Sequence, residues 1–542
     1  MFGRCLRQSA AILFFSFLSL WLTLIPGIAN DDTTVVITSA GRLQGTHRSR
    51  GGAEFLGIPY AKAPIGNLRW HEPVELDTWP GVREATRFGA PCAQAVLGDW
   101  NRHDAETSKE DCLFLNVITP VWPPKAKLPV MFWIHGGANA GGTASSPLYK
   151  DGTLTEHGIV LVTVNYRLGI FGFLAHPELA RESPHQTSGN YGLMDQIAAL
   201  GWVRKNIAAF GGDPDNVTVF GQSAGAEDTS LLMISPQSKG LFQRAIVQSG
   251  SAFMPPVAPL AAAEKAGEAL VAALGPPPGS KAVVFLRGLS EADLLRAATR
   301  QDRAAPPILG PILDGYVLTE SPIDVFMAGR EAPIPLLIGT TTREFGFTGP
   351  PDALRQFIQQ FSGALAPRAL ELYGLANGGL GNDDPIYGSV GNQWMEDQIF
   401  RCPATTQAIL HHSHKNSTFE YQLEHAIPGQ EQQGAVHSAD LPYVFGSYPK
   451  AGNISGSFND LDFRIADLIE RYWTNFAKTG DPSSGSDREW PEFGDAQRFV
   501  SITQDGRLVV NSGGLRRQQC DLSREILRSQ KQSEHWRDFL PV

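Results

Sequence analysis

The stretch Val217-Thr-Val-Phe-Gly-Gln-Ser-Ala-Gly-Ala-Glu-Asp-Thr-Ser-Leu-Leu-Met233 decides the fold. Its first four residues form a short β-branched and aromatic run, the pattern of a strand covered on both faces. Gly221-Gln222-Ser223-Ala224-Gly225 follows at once, and Ala226 to Met233 then suits a helix. Glycines on either side of a serine, between a strand and a helix, permit a strained turn that lifts the hydroxyl out of the sheet. The helix N-terminus beyond it favours developing negative charge. A bare G-x-S-x-G also arises in ordinary glycine-rich turns, but the strand before this one and the helix after it predict a nucleophile elbow with Ser223 as candidate nucleophile.

Similar apolar runs recur along the chain: Pro129 to Ile134, Ile159 to Val164, Arg244 to Gln248 and Pro335 to Ile338. Between them, Gly192 to Ile207 repeats Leu193, Ile197, Leu200, Val203 and Ile207 at helical spacing. Alternation of strand and helix implies an α/β protein with a mostly parallel central sheet and helices on both faces. Near the start, Thr33 to Thr46 alternates apolar residues around a glycine-containing turn and predicts a small antiparallel hairpin. His135-Gly136-Gly137-Ala138 ends the strand candidate Pro129 to Ile134, where small residues let backbone N–H groups approach a reacting carbonyl. Gly137, Ala138 and Ala224 are therefore the candidate oxyanion donors, the alternative being a plain glycine-rich turn. The Ala-, Pro- and Leu-rich segment from Pro255 to Pro307 is expected to form helices and loops over the sheet's carboxyl edge, either shaping access or decorating the fold.

With 42% hydrophobic and 18% charged residues among 542, the composition is that of a folded chain rather than a disordered one. A net charge of −10 leaves no basic footprint for phosphate backbones, so nucleic acid is excluded as an expected partner. Arg4 and Arg7 precede an apolar stretch from about Ala10 to Ile25, and Pro26-Gly27-Ile28-Ala29 ends it in small residues. Residues 1–29 are expected to be a cleavable signal peptide, cut after Ala29, which sends the chain to the periplasm or outside the cell. The apolar run falls short of the ~20 residues that span a bilayer, which disfavours the alternative of a membrane anchor. Loss of Cys5 with the signal leaves four cysteines, and an even number in an exported chain favours disulfides over a metal site.

Further stretches complete a resemblance: Gly57-Ile-Pro-Tyr-Ala-Lys-Ala-Pro-Ile-Gly-Asn-Leu-Arg-Trp70, Glu110-Asp-Cys-Leu-Phe-Leu-Asn-Val117, Gly189-Asn-Tyr-Gly-Leu-Met-Asp-Gln196 and Phe210-Gly-Gly-Asp-Pro-Asp-Asn-Val217. With the elbow, they resemble the type-B carboxylesterases, the family of the cholinesterases and bacterial para-nitrobenzyl esterases, across essentially all of residues 30–542. The resemblance implies the α/β-hydrolase fold in one domain, a serine carboxylester hydrolase and no cofactor or metal. It puts the triad acid in Gly339-Thr-Thr-Thr-Arg-Glu-Phe-Gly346, where Glu344 matches the family's glutamate. Arg343 replaces a usual aspartate there and Phe345 a usual glycine. The histidine comes from Gly434-Ala-Val-His-Ser-Ala-Asp-Leu-Pro-Tyr-Val-Phe445, where His437 matches, with Ser438 in place of a common glycine and Asp440 of a common glutamate. The same likeness implies disulfides Cys92 to Cys112 and Cys402 to Cys520, and an Arg69 to Glu110 ion pair. His411, His412 and His414 lack the motif and are expected to lie in a solvated segment.

The implied chemistry is acyl transfer: neutral His437 takes the Ser223 proton, Glu344 orients the imidazole, and an acyl-enzyme forms on the serine. Two residues bear on the small-molecule ester substrate. Gln222 stands where glutamate often precedes the nucleophile, which argues against cationic esters and toward neutral or anionic ones. Asn139 follows the glycine loop where an aromatic ring is common, and either gives the pocket a polar wall or turns into the loop as a turn residue. A binding protein on the same fold and a serine peptidase are the competing readings.

Overall fold

The central strand of the molecule is the one that carries the elbow. In the computed structural model, which describes residues 33–150, 152–254, 257–299, 308–347, 349–450, 452–484 and 489–530, sixteen strands are present. They are β1 Val35–Ile37, β2 Arg42–Gln44, β3 Thr46–His47, β4 Ala53–Pro59, β5 Val82–Glu84, β6 Phe114–Thr119, β7 Leu128–Ile134 and β8 Val160–Val164. The later ones are β9 Gly212–Gln222, β10 Arg244–Gln248, β11 Ala258–Pro259, β12 Ile312–Leu313, β13 Leu336–Thr341, β14 Thr418–Leu423, β15 Phe499–Ile502 and β16 Leu508–Asn511. Eleven of them join in one sheet, ordered β16-β15-β14-β13-β10-β9-β7-β8-β6-β4-β3, so β9 sits in the middle. From β8 to β15 every pairing in that order is parallel, and the antiparallel strands lie toward the two edges.

Covering both faces explains the unbroken apolar runs. Along β7, Val130, Phe132 and Ile134 enter one core cluster while Met131 and Trp133 enter another, and β13 divides Leu336 and Ile338 from Leu337 in the same way. Successive side chains point to opposite faces, so a strand with helices above and below favours apolar residues at successive positions. The first cluster takes in Leu193, Leu200 and Val203 of the helix Tyr191–Asn206, and the second Ile465, Ile469 and Trp473 of the helix Asp460–Thr479. The expected hairpin is β1 against β2, and β5 adds to β2 in parallel.

Two disulfides join Cys92 to Cys112 and Cys402 to Cys520. Arg69 and Glu110 meet through two hydrogen bonds, Nε to Oε2 at 2.6 Å and Nη2 to Oε1 at 2.5 Å. Arg69 Nη1 also donates to the Leu286 and Leu289 carbonyls, binding the early loop to the segment after β11. That segment contains the helices Leu260–Leu274, Ala282–Gly288 and Glu291–Thr299, as expected for much of Pro255 to Pro307. Its anchors include Arg69 and Glu178, whose carboxylate receives the Val283 N–H at 3.1 Å.

The histidine cluster needs a correction. His411 is wholly buried, bonded to Glu331 at 2.9 Å and to the Ile334 carbonyl at 2.8 Å, because the helix Cys402–Ser413 packs that position inward. Only the neighbours His412 and His414 fit a solvated segment. The proposed signal peptide lies outside the described residues. Among the described residues, no helix is long and apolar enough to cross a membrane, and no cluster of His, Cys, Asp and Glu is fit to hold a metal.

Candidate active site

Parallel strands align their carboxyl ends, and this register gathers the candidate residues. Gly221 of β9 stands opposite Ile134 of β7 and Val247 of β10, and Gln248 of β10 stands opposite Gly339 of β13. The elbow, the glycine loop after β7 and the segment after β13 therefore open on one edge of the sheet, where ligands of α/β proteins bind. Ser223 adopts φ 59° and ψ −127°, a conformation L-residues rarely take, and begins the helix Ala224–Leu232. Such strain costs on the order of 1–3 kcal/mol and persists only where neighbours enforce it. Here the Ser223 N–H donates to the Gln248 carbonyl at 2.9 Å, and the helix behind it is buried along its whole length. Glycine is required for the close approach: a β-carbon on Gly225 would stand 2.1 Å from the Ile134 carbonyl oxygen.

The loop of candidate oxyanion donors lies against the elbow. A β-carbon on Gly136 would stand 2.9 Å from Ser223 Cβ and 2.5 Å from the Gln222 carbonyl oxygen, so only glycine lets these two backbones meet. Gly137, Ala138 and Asn139 all have positive φ, at 114°, 55° and 55°. This run turns the loop back so that Gly137 O receives the Ala140 and Gly141 N–H groups. Its base is fixed by Tyr166, whose hydroxyl donates to the His135 carbonyl at 2.8 Å and whose ring stacks on that imidazole. Burial pushes His135 down to about 4, against the pull of its bond to the Gly136 carbonyl, so it stays neutral.

Glu344 and His437, 93 residues apart, meet at 2.6 Å through Nδ1 and Oε2. The loop bearing His437 is held beside β13 by Arg343, whose N–H donates to the Ala435 carbonyl at 2.9 Å. Its guanidinium caps the carbonyls of Pro385, Ile386 and Gln432, so the replacement of the usual aspartate supplies a backbone clamp. Ser438 keeps φ 69°, the conformation for which glycine is common at this place. Burial alone would raise the Glu344 carboxyl, but the hydrogen bond and charge of His437 and the Thr341 N–H outweigh it and hold the group below its usual value. With Nδ1–H given to Glu344, His437 presents the Nε2 lone pair, and Gln222 Nε2 donates to it at 3.1 Å. The imidazole is thus directed at the elbow through the residue before Ser223.

Some residues of this neighbourhood, Glu396 and Gln248 among them, carry no signal of a role in the sequence. Glu396, wholly buried, accepts the Glu344 N–H at 2.7 Å and pairs with Arg401 at 3.1 Å. Gln248 donates to Asp440 at 2.5 Å and receives Trp473 Nε1–H at 3.1 Å, fixing the His437 loop to β10. Phe345 and Phe400 lie against the His437 ring, with centroids 4.5 and 5.1 Å away. Asn139 is 1% exposed, and its amide donates at 3.0 Å to Oδ1 of Asp228 on the helix Ala224–Leu232. Its φ of 55° is that of a turn residue, while its amide is spent on Asp228 across the fold. Gln196 gives Asp228 a second donor at 2.6 Å. Burial drives the Asp228 carboxyl up to about 7 in spite of both amides.

Known proteins resemble the chain in sequence and in fold. The model of the carboxylesterase family matches residues 32–367 and 382–523. Fumonisin B1 esterase of Sphingopyxis macrogoltabida is 35% identical over 514 residues, covering 91% of this chain and 90% of its own. Para-nitrobenzyl esterase of Bacillus subtilis (strain 168) is 35% identical over 493 residues, covering 88% and 96%. A solved structure of PNB esterase superimposes with a TM-score of 0.78 at 32% identity, over 91% of this chain and 99% of that one. The chain belongs to the carboxylesterase family and is a carboxylic ester hydrolase of the α/β-hydrolase fold.

Proposed function

We propose that the ester is cleaved through an acyl-enzyme on Ser223, with His437 as general base and acid and Glu344 as its orienting carboxylate. The observation that carries this reading is the 2.6 Å bond between Glu344 and His437 Nδ1, which leaves the Nε2 lone pair facing the elbow. In the first half-reaction His437 takes the Ser223 proton as Oγ bonds to the ester carbonyl carbon. The N–H groups of Gly137, Ala138 and Ala224 receive the oxyanion. As the carbon to alkoxy-oxygen bond breaks, His437 returns that proton to the departing alcohol. Water then enters by the same route, and the acid is released. Gln222 occupies the His437 lone pair in the resting enzyme, so its amide must yield that position to the Ser223 hydroxyl.

The substrate proposed is a neutral or anionic ester, since the uncharged amide of Gln222 offers no counter-charge to a cation. Two named relatives act on fumonisin B1 and on a para-nitrobenzyl ester, so their names support small organic esters as the class. We further propose one catalytic domain over residues 30–542, behind a signal peptide over 1–29, in the periplasm or outside the cell. The two disulfides are compatible with such an oxidising compartment.

Labelling with a fluorophosphonate followed by peptide mapping tests the nucleophile directly, and the adduct is expected on Ser223. Ser223→Ala should remove both the label and nearly all turnover, a loss near ~10⁶-fold in other serine hydrolases. A folded Ser223→Ala protein that retained a tenth of wild-type turnover would refute the assignment.

A further inference from the structure

Phe345 is 52% exposed, yet its ring centroid lies 4.5 Å from that of His437, at an interplanar angle of 34°. Both imidazole nitrogens have partners, Nδ1 in Glu344 and Nε2 in Gln222, so the phenyl ring takes neither hydrogen-bonding position. Phe400 packs beside it, 5.4 Å from Phe345 and 5.1 Å from the imidazole, on the π-helical turn Asp397–Arg401. Phe400 is 2% exposed, so it backs the arrangement while Phe345 presents a free surface. A lone exposed phenylalanine calls for no explanation. One packed on the imidazole that must hand a proton to the leaving alcohol does, because whatever is attached to that alcohol oxygen has to pass next to it.

We propose that Phe345 determines specificity on the alcohol side of the ester, selecting substrates whose alcohol carries an aryl or other apolar body. This rests on the reading of Ser223 and His437 given above. The leaving oxygen receives its proton from His437 Nε2, so the group it bears lies beside the imidazole, within reach of the Phe345 ring. The acyl group, held by Ser223 and the glycine loop, extends from the carbonyl carbon in another direction. Offset or edge contact between two rings adds to the apolar area each covers, which gives an aryl alcohol an advantage over a small alkyl one.

The test compares two substrate pairs in wild type, Phe345→Gly and Phe345→Leu. Benzyl acetate against ethyl acetate varies the alcohol alone, and ethyl phenylacetate against ethyl acetate varies the acid alone. Phe345→Gly is expected to lower the benzyl-to-ethyl ratio of kcat/KM by about ten-fold or more, with Phe345→Leu between it and wild type. The phenylacetate-to-acetate ratio should stay within about two-fold, as one pocket contact discriminates only the group it touches. An unchanged benzyl-to-ethyl ratio, an equal loss on all three esters, or a change confined to the acyl pair would each overturn the proposal. Fluorophosphonate titration of each variant counts intact sites and detects misfolding. Failure of the underlying reading has its own mark, hydrolysis that survives in Ser223→Ala, whatever the ratios do.

Discussion

Replacing Asn139 by alanine should loosen the bond between the glycine loop and the nucleophile helix. The Asn139 amide reaches Asp228 Oδ1 at 3.0 Å in a setting where Asn139 is 1% and Asp228 0% exposed, so water cannot substitute for it. A hydrogen bond to a charged group contributes about 1.5–3 kcal/mol. Asn139 also holds φ 55°, which costs alanine roughly 1 kcal/mol more than asparagine. Asn139→Ala should therefore lose about 2.5–4 kcal/mol against unfolding, and Asn139→Gly, which meets the backbone demand freely, about 1.5–3. Urea unfolding at about pH 8, above the Asp228 value of about 7, measures the full effect. At about pH 5.5, with the carboxyl protonated, the deficit should shrink. Because the amide is turned away from solvent, the ratio of kcat/KM between matched apolar and carboxylated acyl esters should not move. An Asn139→Ala protein within about 0.5 kcal/mol of wild type at both pH values would refute the tether, since that is the scatter of surface substitutions. A change in acyl preference at unchanged stability would return Asn139 to the pocket wall.

Asp228 itself should make the protein less stable as pH rises. Between about 4, where the unfolded carboxyl releases its proton, and about 7, where the folded one does, the folded chain binds the extra proton, so stability falls through that window. Asp228→Asn should lack that decline, which unfolding curves at a series of pH values will reveal as a flatter stability profile than that of wild type. Gln222→Glu would place a carboxylate where the amide now donates to His437 Nε2. A neighbouring anion favours the imidazolium, so the ascending limb of the pH–rate profile should move to higher pH, and an unmoved limb would separate Gln222 from the base. Opening the Cys402 to Cys520 link, with a sequence separation of 118, should cost more than opening Cys92 to Cys112, with 20. Loop-closure entropy assigns about 5 and about 3 kcal/mol, and calorimetry of the two double serine variants ranks them.

What was legible in the sequence follows from where the physics is local. Strands β7 to β10 and β13 were visible because a strand covered on both faces is commonly apolar at successive positions. β14, Thr418-Phe-Glu-Tyr-Gln-Leu423, belongs to the same parallel run, but its alternation imitates a half-exposed strand. Every residue of β14 is buried, and Glu420 is accommodated by the Thr405 hydroxyl at 2.6 Å and by burial that pushes its carboxyl up to about 7. The elbow was legible for the same local reason, since its turn forces glycine at Gly225 whatever the rest of the chain does. Glu344 and His437 carry no such signature, because their meeting depends on β13 and on the Arg343 clamp to Ala435 rather than on either residue's neighbours. Resemblance to a family supplied them. Glu396, Gln248 and Asp228 escaped both routes: a buried, bonded polar residue on a helix or strand is written with the same letter as an exposed one, and only the fold supplies its partner. His411 shows the converse error, since neighbouring histidines suggest a solvated segment until one helical turn sends the first of them inward to Glu331. Asn139 joins the two cases. The departure from an aromatic residue was visible, but its consequence lay 89 residues away, in the acid that this chain places on its nucleophile helix. A substitution inside a recognised motif is thus read safely only together with the residue that faces it across the fold.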